Sequence, residues 1–232
     1  MLALVHGYDY RLIRSPSYTD RHGTWVKIPI MRRALQTHDM VIFLDSDAIF
    51  ENINLPFEWL LSHWDVQPSS TLLTIARDPG GEHNSDARGK VMWNTGFMVG
   101  QRNSLTEEMF ERWENCPTGQ RYEECRKWAY DWAHEQAAFA NHVRYEYEEG
   151  QDVRVLECNE GNGMPGPRGG SNCNGVFIRH YWFDKDTTVT ELYQNMDKEG
   201  VVDLHRHFHD RLGDYFLDAS SAGFPLADDL VI

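Results

Sequence analysis

Val41-Ile42-Phe43-Leu44-Asp45-Ser46-Asp47-Ala48-Ile49-Phe50 is the stretch on which the reading of this chain turns. An uninterrupted apolar run is the signature of a strand covered on both faces, as in a parallel sheet. Ligands of open α/β sheets bind off the carboxyl ends of such strands. Two carboxylates at i and i+2, carried to that end, suit a hard divalent cation with oxygen ligands. A strand that closes in an acidic turn would read the same way over these ten residues, because Asp and Ser are common turn formers.

The surrounding composition narrows the classes. The chain has 232 residues, 41% hydrophobic and 25% charged, which fits a soluble globular protein with a substantial core. Its net charge of -14 argues against a nucleic-acid backbone or an anionic membrane surface as the main partner. No apolar run approaches the roughly 20 residues of a membrane span, and MLALVHGYDY lacks the basic region of a signal peptide. Cys116 with Cys125 and Cys158 with Cys173 flank two loops, which hints at disulfides and an oxidising lumen, although four cysteines allow three connectivities. No pair has the C-x-x-C spacing of a zinc ribbon.

Periodicity predicts short strands at Asp9–Ile13, Met40–Leu44, Thr71–Ala76, Trp93–Gly100, Val153–Leu156 and Val176–Tyr181. It predicts helices from Trp25 to Leu35, with Thr24 as N-cap, from Phe57 to Trp64 and from Thr106 to Trp113. Trp128–His142 reads as mostly helical, with Trp132, Ala133, Gln136, Ala137 and Ala140 near one face. Gly96 interrupts its strand, as at a bulge or a close backbone approach. Residues 159–175 hold six glycines and two prolines and read as a long functional loop. Two helices follow before a tail. Alternating strands and helices predict an α/β domain on a mostly parallel sheet flanked by helices, covering residues 1–218, with a C-terminal tail at 219–232.

Six segments in order carry a resemblance: HGYDY, W-x-K-x-P, FLDSDAIF, NTGFMVGQRN, HEQAAF and RHYWFDK, from His6 to Lys185. Together they resemble nucleotide-sugar glycosyltransferases of the GT-A (Rossmann-like) fold, above all the family of the fungal Golgi galactosyl- and mannosyltransferases and the plant xyloglucan xylosyltransferases. The resemblance implies that Asp45, Asp47 and His180 hold a divalent metal, usually manganese, a choice that suits a site with one nitrogen donor. It implies that Lys185 contacts the diphosphate of a nucleotide-sugar donor. Glu135 and Gln136 match an Asp-Gln pair facing the anomeric carbon, though His134 stands where plant members usually carry an acid. Asn94 and Gly96 match a strand beside the donor sugar, and Lys27 matches the W-x-K-x-P lysine. Asp86 and Arg88 precede that strand and are further candidates for sugar hydroxyls.

By the same resemblance, the reaction is transfer of a hexose or pentose to a hydroxyl of a glycan or glycoprotein acceptor, with retention, in the Golgi lumen. Homo- or hetero-oligomers with related transferases are a further expectation. Family members carry a strand and helix before HGYD, whereas Met1 lies five residues before His6. The first βα unit and any anchor are therefore expected to be missing, and nucleotide binding to be weak. Two alternatives stand beside this reading. One is a catalytically impaired pseudo-glycosyltransferase, or a glycan-binding partner of a full-length paralogue. The other is a haloacid-dehalogenase-like phosphatase, which also opens with a strand ending in DxD but wants Thr or Val at the position of Ile49 and a later Gly-Asp motif, here only Gly213-Asp214. His134-Glu135 is not a zincin motif, because Ala138 stands where its second histidine belongs. His205, His207 and His209 read as a surface cluster.

Overall fold

A computed structural model of the chain describes residues 2–15, 17–166, 172–194 and 205–218. Its centre is a four-stranded sheet in the order β2 (Met40–Leu44), β5 (Trp93–Gln101), β4 (Leu73–Arg77), β6 (Val153–Leu156). β5 runs antiparallel to both β2 and β4, and only β4 and β6 are parallel. The sheet is therefore mixed, not mostly parallel. The reason lies in what an apolar run encodes: it reports that both faces are covered, whichever way the neighbouring strand points. The predicted strands are otherwise present, some with altered ends, the first as β1 (Leu12–Arg14) instead of Asp9–Ile13 and the last shortened to Ile178–His180, and β1 pairs in parallel with β8 (Phe216–Asp218).

Both faces are indeed covered. Val41 and Phe43 of β2, Leu73 and Ile75 of β4 and Met98 of β5 join one core with α2 (Lys27–Ala34), α4 (Ser104–Glu114) and α5 (His134–Asn141). The alternate residues Ile42, Leu44, Ala76, Phe97 and Val99 join a second core with α1 (Leu2–His6) and α3 (Phe57–His63). That is the two-residue period of a pleated strand. In α4 the buried residues Thr106, Met109, Phe110 and Trp113 follow the i, i+3, i+4, i+7 stripe of a core-facing helix, and the Asn103 side chain caps its start. Truncating Phe110 or Trp113 would cost about 3–5 kcal/mol.

Three local expectations are corrected. Thr24 is not the N-cap. A 3₁₀ turn (Gly23–Val26) precedes α2, so the cap moves upstream to His22, whose ring accepts from the Thr24 N–H. The segment Trp128–His142 is not one helix: a 3₁₀ stretch ends at Ala129, and α5 begins only at His134, which sits at φ 53°. In that break Trp132 turns outward and is 75% exposed instead of packed. The cysteines pair as Cys116–Cys125 and Cys158–Cys173. No helix among the described residues is long and apolar enough to cross a membrane. The expected tail at 219–232, part of the long loop (167–171) and the segment 195–204 lie outside the described residues.

Candidate active site

The acids after β2 are held by backbone on both sides. The Asp45 N–H donates to the Gly96 carbonyl at 2.7 Å, and the chain turns at once into β3 (Ala48–Phe50). β3 pairs antiparallel with β7 (Ile178–His180), which sets Ala48 opposite His180. That pairing is how a histidine 133 positions away reaches Asp47: His180 Nε2 lies 3.1 Å from Asp47 Oδ1 and 3.8 Å from Asp45 Oδ2. One ligand atom from each of the three residues lies within 4.8 Å of the others, a spacing that one cation could bridge. Two carboxylates and one imidazole form a donor set suited to a first-row divalent metal.

The histidine is oriented from behind. Its Nδ1 is 2.9 Å from Asn162 Oδ1 and 2.9 Å from Trp182 Nε1. These partners make opposite demands, since the carbonyl needs a proton on Nδ1 and the indole N–H needs a lone pair. Asn162 is fixed carbonyl-forward, because its Nδ2 donates to Asp78 Oδ1 and to the Arg77 carbonyl, each at 3.2 Å. A proton on Nδ1 leaves the Nε2 lone pair aimed at the acids, which is the tautomer a metal ligand requires. With the proton on Nε2, the ring donates to Asp47 and accepts from Trp182.

Gly96 gives this ring its room. β4 and β5 slip register between Ile75 and Ala76, so β5 bulges around Thr95–Phe97. A Cβ on Gly96 would lie 2.6 Å from His180 Nδ1 and 2.8 Å from Asn94 Oδ1. The interrupted strand thus marks a close approach, as its sequence suggests.

Two lysines flank the acids. Lys185, at the start of α6 (Lys185–Gln194), reaches Asp47 Oδ2 at 3.0 Å while remaining 71% exposed. Burial alone would raise the Asp47 pKa, but His180 and Lys185 outweigh it and hold the carboxyl well below its ordinary value. Lys27 is buried and bridges Asp45 Oδ1 (3.1 Å) and Glu135 Oε1 (3.2 Å). Burial would lower its pKa, and the two carboxylates more than reverse that. Glu135 is buried at the start of α5; burial favours its neutral form, but Lys27 with the hydroxyls of Thr24 and Thr95 keeps it ionised below the ordinary range. Thr95 Oγ1 donates to Glu135 Oε1 at 2.9 Å, whereas no hydrogen bond of good geometry reaches Oε2. The Trp113 indole, donating to the Glu135 carbonyl at 2.8 Å, fixes the helix start.

The other predicted residues divide. Asn94 and Gln136 meet in a buried amide cluster on Asp78: Asn94 Nδ2 donates at 2.9 Å and Gln136 Nε2 at 2.5 Å. Asn94 Oδ1 accepts from the Gly96 N–H at 2.7 Å, so this cluster also shapes the bulge. Asp86 lies with a different group. Its oxygens accept from the Arg88 and Lys90 N–H groups and from the Tyr145 hydroxyl, and Arg88 stacks on the Tyr145 ring. Both residues serve the loop between β4 and β5 in this structure. Asp214, of Gly213-Asp214, pairs with Arg211 on a short helix.

Asp78 and Asn162 support the site without having been singled out in the sequence. Asp78 ends an apolar strand just as Asp45 does, and that was the available signal. Burial pushes its carboxyl above the ordinary value despite three amide donors. Asn162 sits in the loop closed by the Cys158–Cys173 disulfide, among glycines that carry no signal of their own.

The sequence matches the nucleotide-diphospho-sugar transferase family over residues 16–185, a span that holds every residue of this cluster. No curated protein matches the chain.

Proposed function

The chain belongs to the nucleotide-diphospho-sugar transferase family, which implies sugar-transfer activity, and on that premise we propose that it moves a hexose or pentose from a nucleotide-diphosphate sugar to a glycan hydroxyl with retention. The observation that carries this reading is the convergence of Asp45, Asp47 and His180, from two distant segments, within bridging distance of one cation. These three would hold the metal, manganese by preference. When bound, a divalent cation neutralises charge that develops on the leaving diphosphate.

The chain's own groups supply the remainder. Lys185 is exposed beside Asp47 and would meet the diphosphate as its bond to the sugar breaks. Glu135 keeps its charge under the sugar site; buried and paired with Lys27, it is better suited to stabilise an oxocarbenium-like centre than to attack it. Asn94 and Gln136 hold their positions through Asp78 and would set the sugar's floor. The order of the six motifs supports the finer likeness to the fungal and plant Golgi enzymes, and two disulfides support an oxidising lumen.

The near-complete burial of Glu135, 3% exposed, favours as second reading a catalytically impaired relative that binds glycan. Metal-dependent hydrolysis of a panel of UDP- and GDP-sugars separates the two. Transferase function predicts hydrolysis in the wild type that Asp47→Ala abolishes. Absence of turnover, with binding retained, would favour the impaired form.

A further inference from the structure

Trp132 is the most exposed of the large hydrophobic residues among those described, at 75%. A bare indole face in water forgoes a large part of its possible burial. Trp25, Trp64, Trp93 and Trp113 are buried, and Trp59 stacks on His63. The position is not arbitrary. Trp132 stands three residues before Glu135, and its ring meets His134 edge-on, with centroids 6.0 Å apart. His134 in turn lies flat on His22, centroids 3.8 Å apart and planes within 4°. The backbone there is built for display. His134 takes a left-handed φ of 53°, which costs a non-glycine residue energy and concentrates at functional sites. The Tyr130 hydroxyl anchors the segment to the Thr19 carbonyl at 2.9 Å.

From this corner an unbroken chain of contacts leads through the site: His134 adjoins Glu135, Glu135 pairs with Lys27, Lys27 with Asp45, and the metal-ligand set ends at Lys185. In the transferase reading above, Lys185 is the end that meets the diphosphate. The aromatic corner stands at the other end of this chain of contacts, where His134 adjoins Glu135 and meets Trp132.

We propose that Trp132, with the stacked His22–His134 pair beside it, is the acceptor subsite, a platform for the apolar face of a pyranose ring. The indole face would cover the sugar's C–H groups, and the imidazole nitrogens beside it would meet its hydroxyls, so that one apolar and one polar group match the two characters of the ring. The proposal rests on the transferase reading above.

Saturation-transfer NMR on the full chain, with tetrasaccharides of the cello-, manno-, galacto- and xylo- series as probes, tests it. Calorimetry with manganese and UDP or GDP runs alongside as an independent check on the donor site. At least one series should receive saturation in the wild type, weakening about tenfold or more in Trp132→Ala and recovering in Trp132→Phe, with nucleotide binding unchanged in all three. Saturation by no series, or at the wild-type level in Trp132→Ala, would overturn the proposal while nucleotide binding persists. So would a Trp132→Ala protein whose only change is a lost self-association in sedimentation. Loss of nucleotide binding in the wild type would instead strike at the transferase reading.

Discussion

Lys27 and Glu135 form a buried ion pair, Nζ to Oε1 at 3.2 Å, and the same ammonium lies 3.1 Å from Asp45. One cation thus joins an acid of the proposed metal site to the acid under the proposed sugar site. Breaking a buried pair by removing one partner costs about 3–5 kcal/mol, because the remaining charge stays desolvated. Lys27→Met should therefore lower the melting temperature by about 10 °C for a domain of this size. Thermal unfolding measures it, and a shift under about 2 °C would mean that the pair contributes nothing to the fold.

The same pair sets a pH dependence. Glu135 titrates below its ordinary value, near 4.5. A carboxyl depressed on folding stabilises the native state above its unfolded pKa and loses that contribution as pH falls through the folded one. The stability gap between wild type and Glu135→Gln should hold from pH 7 down to about pH 5 and shrink below about pH 4.5. Urea titrations of both proteins across that range decide it. Asp78, raised by burial, works in the opposite direction in each protein and so drops out of the difference.

Gly96→Ala should push the His180 ring off its position while leaving the sheet folded, since the obstructed atoms belong to side chains. Manganese affinity is expected to fall at least about tenfold, in the range seen when the groups that orient a ligand are disturbed. Gly80→Ala, where a Cβ meets nothing within 4 Å, is the matched control and should bind like the wild type. Equal affinity for all three proteins would remove the close approach from the account.

Asn162→Ala removes the carbonyl that favours the metal-ready tautomer of His180. An outer partner of this kind is worth about 10–100-fold in metal affinity. Reduction of Cys158–Cys173, which closes the loop carrying Asn162, should weaken binding in the same direction and lower stability by about 3 kcal/mol. Calorimetry before and after reduction tests both, and undiminished affinity in both cases would show that His180 orients itself.

Asp45 and Asp47 were legible as acids at the end of an apolar run and Gly96 as a glycine inside a strand, whereas His180 and Lys185 were singled out only through the resemblance, because nothing local brings a residue 133 positions away to Asp47. Strand direction was not legible, because β2 packs alternate side chains against both cores beside an antiparallel neighbour, and an apolar run reads the same beside a parallel one. Asp78 and Asn162 were hidden by their surroundings, one opening a polar loop and the other lying among glycines, where both types usually make turns. Trp132 was misjudged for the opposite reason. Tryptophan normally fills cores, and only the break before α5 turns this one outward.

Asp45, Asp47 and His180 are proposed to share one ion. Pulsed electron paramagnetic resonance of the manganese-loaded chain reads the ligands directly. Nitrogen coupling from a single imidazole is expected, disappearing in His180→Ala, with manganese binding lost in Asp47→Ala. Bound manganese without nitrogen coupling, or a coupling that survives His180→Ala, would contradict it.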